Sequence, residues 1–432
     1  MDNKHFSCSN IPGPDNIKQS TLANGIQILS YQNMNAETIY MIGILSNGGD
    51  CDPPQKKGLA HFTANLLSRG TRGIPFQQFH TLIESAGANL AFGCSSRHTW
   101  FRGKSLAEDL GLLIKLASDA FRAPAFKDEY VERLRRQLLA SLALRDQDTG
   151  ENASLLFDQS LFKDHPYAYP VDGYVESVAS IIRENILDFH HTTYRPQELS
   201  IVISGAVTHQ KITRLAEKYF SAWEIKEKNT AKPMETIPQA PASMIRKHRF
   251  LPGKSQVDLI AGGFGPKRNS SDFVPAYIGN NILGQFGLMG RIGKRVRSQA
   301  GLAYFASSSV SAWADTGTWD ISAGVNPENT QKAIDLIRDE INRFISEDVL
   351  EEELENSKSH LIGRMPIALE TNAGIANAIL KMHRFNLGFD YYRKYQTMLG
   401  DVTPQEIRRV AKKYLRPDQL VITSAGPGEE QL

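Results

Sequence analysis

The stretch Gly58-Leu-Ala-His61-Phe-Thr-Ala64-Asn65-Leu-Leu-Ser-Arg-Gly70-Thr71 carries the outline of a metal site without its contents. An inverted zinc-binding motif reads His-x-x-Glu-His. Its two imidazoles lie four apart on one helical face, and the glutamate between them takes a proton from metal-bound water. Here His61 stands in the first place, but Ala64 occupies the glutamate place and Asn65 the second histidine place. Alanine accepts no proton, and a neutral amide is a poor ligand for an ion that takes thiolate, imidazole or carboxylate. The alternative for His61 is a histidine at a helix start, hydrogen-bonded or facing a vacated pocket. The other histidines do not rebuild a site. His190 and His191 are adjacent, so their rings diverge on a helix. His80, His98 and His165 are isolated, and His360 and His383 lie in the other half of the chain.

A second stretch with chemical potential is Asn280-Asn-Ile-Leu-Gly284-Gln-Phe-Gly287-Leu-Met-Gly290-Arg-Ile-Gly293-Lys-Arg-Val-Arg297, which runs on to Gly301-Leu-Ala-Tyr304. Glycines three apart predict a mobile loop or a close backbone approach. Neither the Gly-x-x-x-x-Gly-Lys-Ser/Thr spacing nor Gly-x-Gly-x-x-Gly is present, which argues against a nucleotide role. Arg297 and Tyr304 are hydrogen-bond donors able to steady a developing oxyanion. Read without context, they are an arginine in a surface ion pair and a tyrosine packed in a sheet.

The elements that must position these residues come from a duplicated unit. Tyr194-Arg195-Pro196-Gln-Glu-Leu199-Ser-Ile-Val-Ile-Ser204-Gly205 resembles Tyr414-Leu-Arg416-Pro417-Asp-Gln-Leu420-Val-Ile-Thr-Ser424-Ala-Gly426, at an offset of 221. Each copy ends a helix, turns at Arg-Pro and enters a β-branched strand, because proline cannot continue the helix and extends its predecessor. The helix pairs around Leu112 to Leu144 and around Ala333 to Gly363 repeat the match. The expected organisation is an extension at 1–19, a first domain at 20–225, a linker at 226–244 and a second domain at 245–432. The linker is polar and proline-rich. Each half opens with alternating strands, Gly25–Tyr31 and Thr38–Leu45 in the first, and continues into helices. That order predicts an α+β fold of two homologous sandwich domains with antiparallel-rich sheets.

Composition sets the outer limits. The 432 residues carry 49 basic and 47 acidic side chains, a net charge of +2 that argues against nucleic acid as the main partner. No apolar run approaches the roughly 20 residues of a bilayer span. Met1 to Asn10 lacks the apolar core of a signal peptide, so the chain as it stands is expected in the cytoplasm; an export segment removed from it would place it in the periplasm. Cys8, Cys51 and Cys94 are sparse and unpaired in spacing, as reduced thiols are.

Leu22-Ala-Asn-Gly25, Ser46-Asn-Gly-Gly49, Gly58-Leu-Ala-His61 and Arg69-Gly-Thr71, in this order, resemble the pitrilysin/insulinase-type family of zinc metallopeptidases, which includes the mitochondrial processing peptidases. The resemblance spans nearly the whole chain. It implies two homologous domains around a peptide-sized chamber. It also implies a third ligand about 76 residues beyond the second histidine place, where this chain has Ser141. No carboxylate lies between Arg133 and Arg145 to replace it. In two-chain members of the family one subunit carries zinc and the other keeps an arginine and a tyrosine at the separation of Arg297 and Tyr304. This chain is similar to the second kind. The expectation is therefore a non-catalytic, substrate-binding subunit: Arg297 and Tyr304 in a shared site, Gly284, Gly287, Gly290 and Gly293 against the substrate, and no metal held by this chain. Zinc would come from a homologous partner in a heterodimer, and the substrate would be a peptide or unfolded polypeptide. The rival readings are a structural or peptide-binding homodimer without catalysis, and an autonomous zinc peptidase with an unconventional site at His61.

Overall fold

The computed structural model describes residues 11–224, 239–285 and 290–428. The amino-terminal extension as far as Asn10, Cys8 within it, most of the linker and Gly287 lie outside these residues. Two compact units make up the chain, and each is an α+β sandwich built on one mixed sheet.

The first sheet contains β1 (Ile17–Thr21), β2 (Gln27–Gln32), β3 (Thr38–Leu45), β4 (Asn89–Cys94), β5 (Thr99–Leu106) and β6 (Leu199–Gly205). Their order is β1-β2-β6-β3-β5-β4, with only β2 and β6 parallel. Alternation decides which side chains enter the core: along β5, Thr99, Phe101, Gly103 and Ser105 are buried and their neighbours are not. Ile39, Met41 and Leu45 of β3 meet Leu113, Ala117 and Phe121 of the amphipathic helix Leu110–Arg122 in the same apolar core.

The second sheet contains β7 (Ile245–Phe250), β8 (Val257–Gly265), β9 (Ala303–Ala312), β10 (Gly317–Val325) and β11 (Val421–Gly426). Its order, β7-β11-β8-β10-β9, repeats that of the first sheet without a counterpart of β1. The parallel pair recurs as β7 with β11. Trp319, Ile321 and Ala323 of β10 enter a core with Ile337, Ile341 and Phe344 of the helix Thr330–Ser346.

The halves expected at 20–225 and 245–432 exchange one segment each. Ala143–Ala168 belongs to the second unit, and Pro366–Arg393 to the first. The helix Thr149–Phe162 packs on β8 and β11, where Phe157, Leu161 and Phe162 cluster with Val421. The helix Asn372–Arg384 packs on β3 and β6. Asn372 is its anchor: the amide Nδ2 donates to Thr38 O at 2.9 Å, and Oδ1 accepts from Asn33 at 3.0 Å. The exchange has no signature in the sequence, because the chain enters each exchanged segment near the end of a continuous helix, Asp128–Arg145 or Glu351–Ala368. No described helix is long and apolar enough to cross a membrane.

Candidate functional site

His61, Ala64 and Asn65 lie on the helix Leu59–Leu66 of the first unit, as the motif predicts. The start of this helix depends on Asp52, which sequence reading passed over. Its buried carboxylate accepts from Gly58 N at 2.8 Å and from Ala60 N at 2.7 Å, occupying two of the N–H groups that a helix start leaves without partners. Gly58 itself has φ of 95°, a left-handed geometry that glycine adopts without strain. Burial pushes Asp52 up to about 7, against the pull of those two N–H donors and of Lys57. Replacing Asp52 by alanine should lower the unfolding free energy by about 1–2 kcal/mol in urea titration, the usual cost of losing a side-chain cap.

The four zinc positions do not fit a metal. His61 is half-buried, and its Nδ1 has no hydrogen-bond partner among the described residues. Burial holds the imidazole below its ordinary pKa, with the charge of Asp172 opposing, so it is a neutral ring. One turn on, Ala64 is fully buried, with a methyl where a water-activating group would have to stand. Asn65 spends its amide on its own helix, donating from Nδ2 to His61 O at 2.8 Å. Ser141 is exposed on the helix Asp128–Arg145, and no described hydrogen bond ties it to the histidine helix. Among the described residues no group of three or more histidine, cysteine or acidic side chains could hold a metal ion. His190, weighed as a spare ligand, binds Phe121 O at 2.8 Å, and His98 binds Ser95 Oγ at 2.7 Å.

Arg297 and Tyr304 lie in the second unit. The glycine-rich stretch, expected as a mobile loop or a close backbone approach, is helical in its described parts: Asn281–Gln285 and Gly293–Gln299 are π-turns, a wide helical geometry found often at functional sites. Polar anchors hold the first turn, with Asn281 Nδ2 donating to Ser357 Oγ at 2.8 Å and Ser308 Oγ to Asn280 Oδ1 at 2.8 Å. The glycines serve close approach. A Cβ on Gly284 would fall 2.5 Å from Ser308 N, and one on Gly290 would fall 2.7 Å from Gly284 Cα. Gly293 is buried at the start of the second turn.

The arginines of the second turn divide by role. Arg291 makes a two-pronged ion pair with Glu353, at 2.9 and 2.5 Å. Arg295 lies 3.8 Å from both Asp339 and Glu340. Arg297 is exposed, and its guanidinium has no partner among the described residues. Gly301 N donates to Arg297 O at 3.0 Å and Leu302 N to Val296 O at 3.1 Å, closing the turn that leads into β9. Tyr304, second residue of that edge strand, is 60% exposed, and its hydroxyl also lacks a described partner. The surface ion pair and the packed tyrosine are therefore not what these residues form. They present one phenol and five guanidinium N–H donors outward.

Residues 29–174 match the family described as Insulinase (Peptidase family M16), and residues 180–361 match Peptidase M16 inactive domain. An uncharacterized zinc protease of Streptomyces coelicolor is 26% identical over 420 residues, covering 95% of this chain and 90% of that protein. Another, from Mycobacterium leprae, is 24% identical over 404 residues, covering 92% and 89%. Among solved structures, a peptidase M16 inactive domain from Pseudomonas fluorescens superposes with a TM-score of 0.88 at 24% identity, covering 96% of this chain and 99% of that one. A protease from Helicobacter pylori gives 0.88 at 20% identity, covering 96% and 100%.

Proposed function

The chain belongs to the insulinase-type (M16) family of metallopeptidases, and from that premise we propose that it is the substrate-binding subunit of a two-chain zinc endopeptidase. One contrast carries the reading. The four zinc positions hold one neutral imidazole, a buried methyl, a self-bonded amide and an exposed hydroxyl, while Arg297 and Tyr304 stand exposed with their donors unspent. A site that had simply decayed would have no reason to leave a guanidinium and a phenol uncommitted beside two arginines that are both engaged.

Zinc held by the homologous partner would polarise the attacking water. This chain's part is to bind and orient. Arg297 and Tyr304 donate to the main-chain carbonyl of a peptide and follow its oxygen as negative charge gathers there. Donors fixed on a closed turn and a strand need no rearrangement when that charge develops, which is what makes them more effective than water.

The test is reconstitution. The purified chain should hydrolyse no unfolded polypeptide alone, and mixing it with a zinc-bearing homologue should give turnover that a chelator abolishes. Activity of the homologue that is the same with and without this chain would remove the shared-site reading and favour a peptide-binding protein without catalysis. Stoichiometric zinc on the isolated chain, lost in His61→Ala, would instead favour an autonomous peptidase.

A further inference from the structure

Besides the absence of a β1 counterpart, the duplicated sheets differ at one strand end within the second unit. In the first sheet β3 is paired with β6 to its last residue, Leu45 with Leu199, and Ser46 N then donates to Glu198 O at 3.2 Å. In the second sheet β8 outruns its partner. Its pairing with β11 ends at Gly262 and Val421, while its pairing with β10 continues to Gly265. Gly263, Phe264 and Gly265 thus have no strand paired on that side among the described residues, with Phe264 half-buried and both glycines buried. A bare edge beside an apolar floor is a template for a further strand.

A cavity of about 460 Å³ lies at this edge, lined by Gly263 to Gly265 and by Leu420. Lys267, Lys413 and Arg416 also line it, against one carboxylate, Asp315. That carboxylate is engaged, accepting from Tyr167 Oη at 3.1 Å with His165 Nε2 at 3.7 Å. Lys413 is tied to Asp272 at 2.6 Å, and Arg416 donates to Gln419 Oε1 at 3.1 Å. Lys267 is exposed, and its ammonium has no partner among the described residues. The cavity therefore combines unpaired strand backbone, apolar surface and an excess of positive charge.

Strand direction selects the ligand. β11 runs antiparallel to β8, and Arg416, which lines the cavity, precedes its first residue by five positions. A segment continuing β11 backward along Gly265–Gly263 would bring its own carboxyl end toward Val421, at the end of the cavity where the chain leads from Arg416 into β11. A parallel segment would bring an ammonium to the same cations. We propose that this slot binds the C-terminal residues of an extended peptide, laid antiparallel to Gly263–Gly265, with the terminal carboxylate against Arg416 and Lys413. The slot belongs to this chain alone and does not depend on a zinc-bearing partner.

A randomised pentapeptide pool with free carboxyl termini, and the same pool amidated, test it by equilibrium dialysis against the full chain. The free-acid pool should be retained about tenfold more strongly than the amide. Arg416→Gln and Lys413→Gln should each erase most of that difference and leave retention of the amide unchanged. N-acetyl-leucine, which has the carboxylate but almost no strand, should be retained about tenfold less than the free-acid pool. Equal retention of acid and amide, no saturable retention of either, or an acid preference that survives both substitutions would overturn the proposal.

Discussion

Arg297→Ala should lower turnover by the assembled peptidase by about two to three orders of magnitude, the range seen when one preorganised oxyanion donor is lost. The size follows from the position of the group. Its charge is not shared with a carboxylate, unlike those of Arg291 and Arg295, so all its donors remain for a substrate. Tyr304→Phe removes a single O–H and should act in the same direction by a smaller factor. Both changes should fall mainly on kcat, because an interaction that strengthens only as the oxyanion forms is missing from the ground state. Neither should disturb folding: Arg297 is exposed, and Tyr304 is 60% exposed. Unchanged melting curves with collapsed turnover would separate this role from a structural one. Turnover that is unchanged in both variants would end the shared-site proposal.

Asp158→Asn should stabilise the protein at pH 8 by about 1–2 kcal/mol and have little effect near pH 4. Asp158 lies on the helix Thr149–Phe162, and Asp320 of β10 lies on the sheet face opposite to its core neighbours Trp319 and Ile321. Burial, with the charge of Asp320 added, pushes Asp158 up to about 7. Burial also pushes Asp320 up to about 6, although Thr318 Oγ1 donates to it at 3.2 Å. The fold thus holds protons between pH 4 and 7 that the unfolded chain has released, so this pair loses stability as pH rises through that window. Several histidines work the other way. His61 and His383 are held below their ordinary range by burial, and His98 is lowered to about 3. Their contribution is present above the unfolded value and is lost as pH falls. The variant is needed because the two slopes oppose each other in the wild-type curve. Urea midpoints of wild type and Asp158→Asn that differ equally at pH 4 and pH 8 would refute the account.

Much of the fold was legible because it rests on local patterns. The strands followed from alternation and β-branched runs, and the duplication followed from two Arg-Pro turns that do the same work ahead of β6 and β11. The empty zinc positions could be read directly, since side-chain chemistry does not depend on packing. Three things were hidden. Asp52 reaches its helix across a six-residue gap with no cap-like spacing. The glycine-rich stretch read as a mobile loop or a close approach; the close approach is there, but its π-turn is held by Ser308 and Ser357, which are distant in sequence. The segment exchange leaves no local mark, because a helix that changes partner near its end reads like any other amphipathic helix.

That exchange has a consequence for how the protein is made. Ser204 of β6 and Asn372 of the helix that covers it are separated by 168 positions. At a synthesis rate of about 5–20 residues per second, the strand waits roughly 10–30 s on the ribosome for its cover. For that interval one face of the first sheet, Val202 and Ile42 included, has only solvent or a chaperone to meet it. The first unit thus cannot finish folding before most of the second has been translated, and a chain stopped at the linker would be an aggregation hazard, not a free-standing domain.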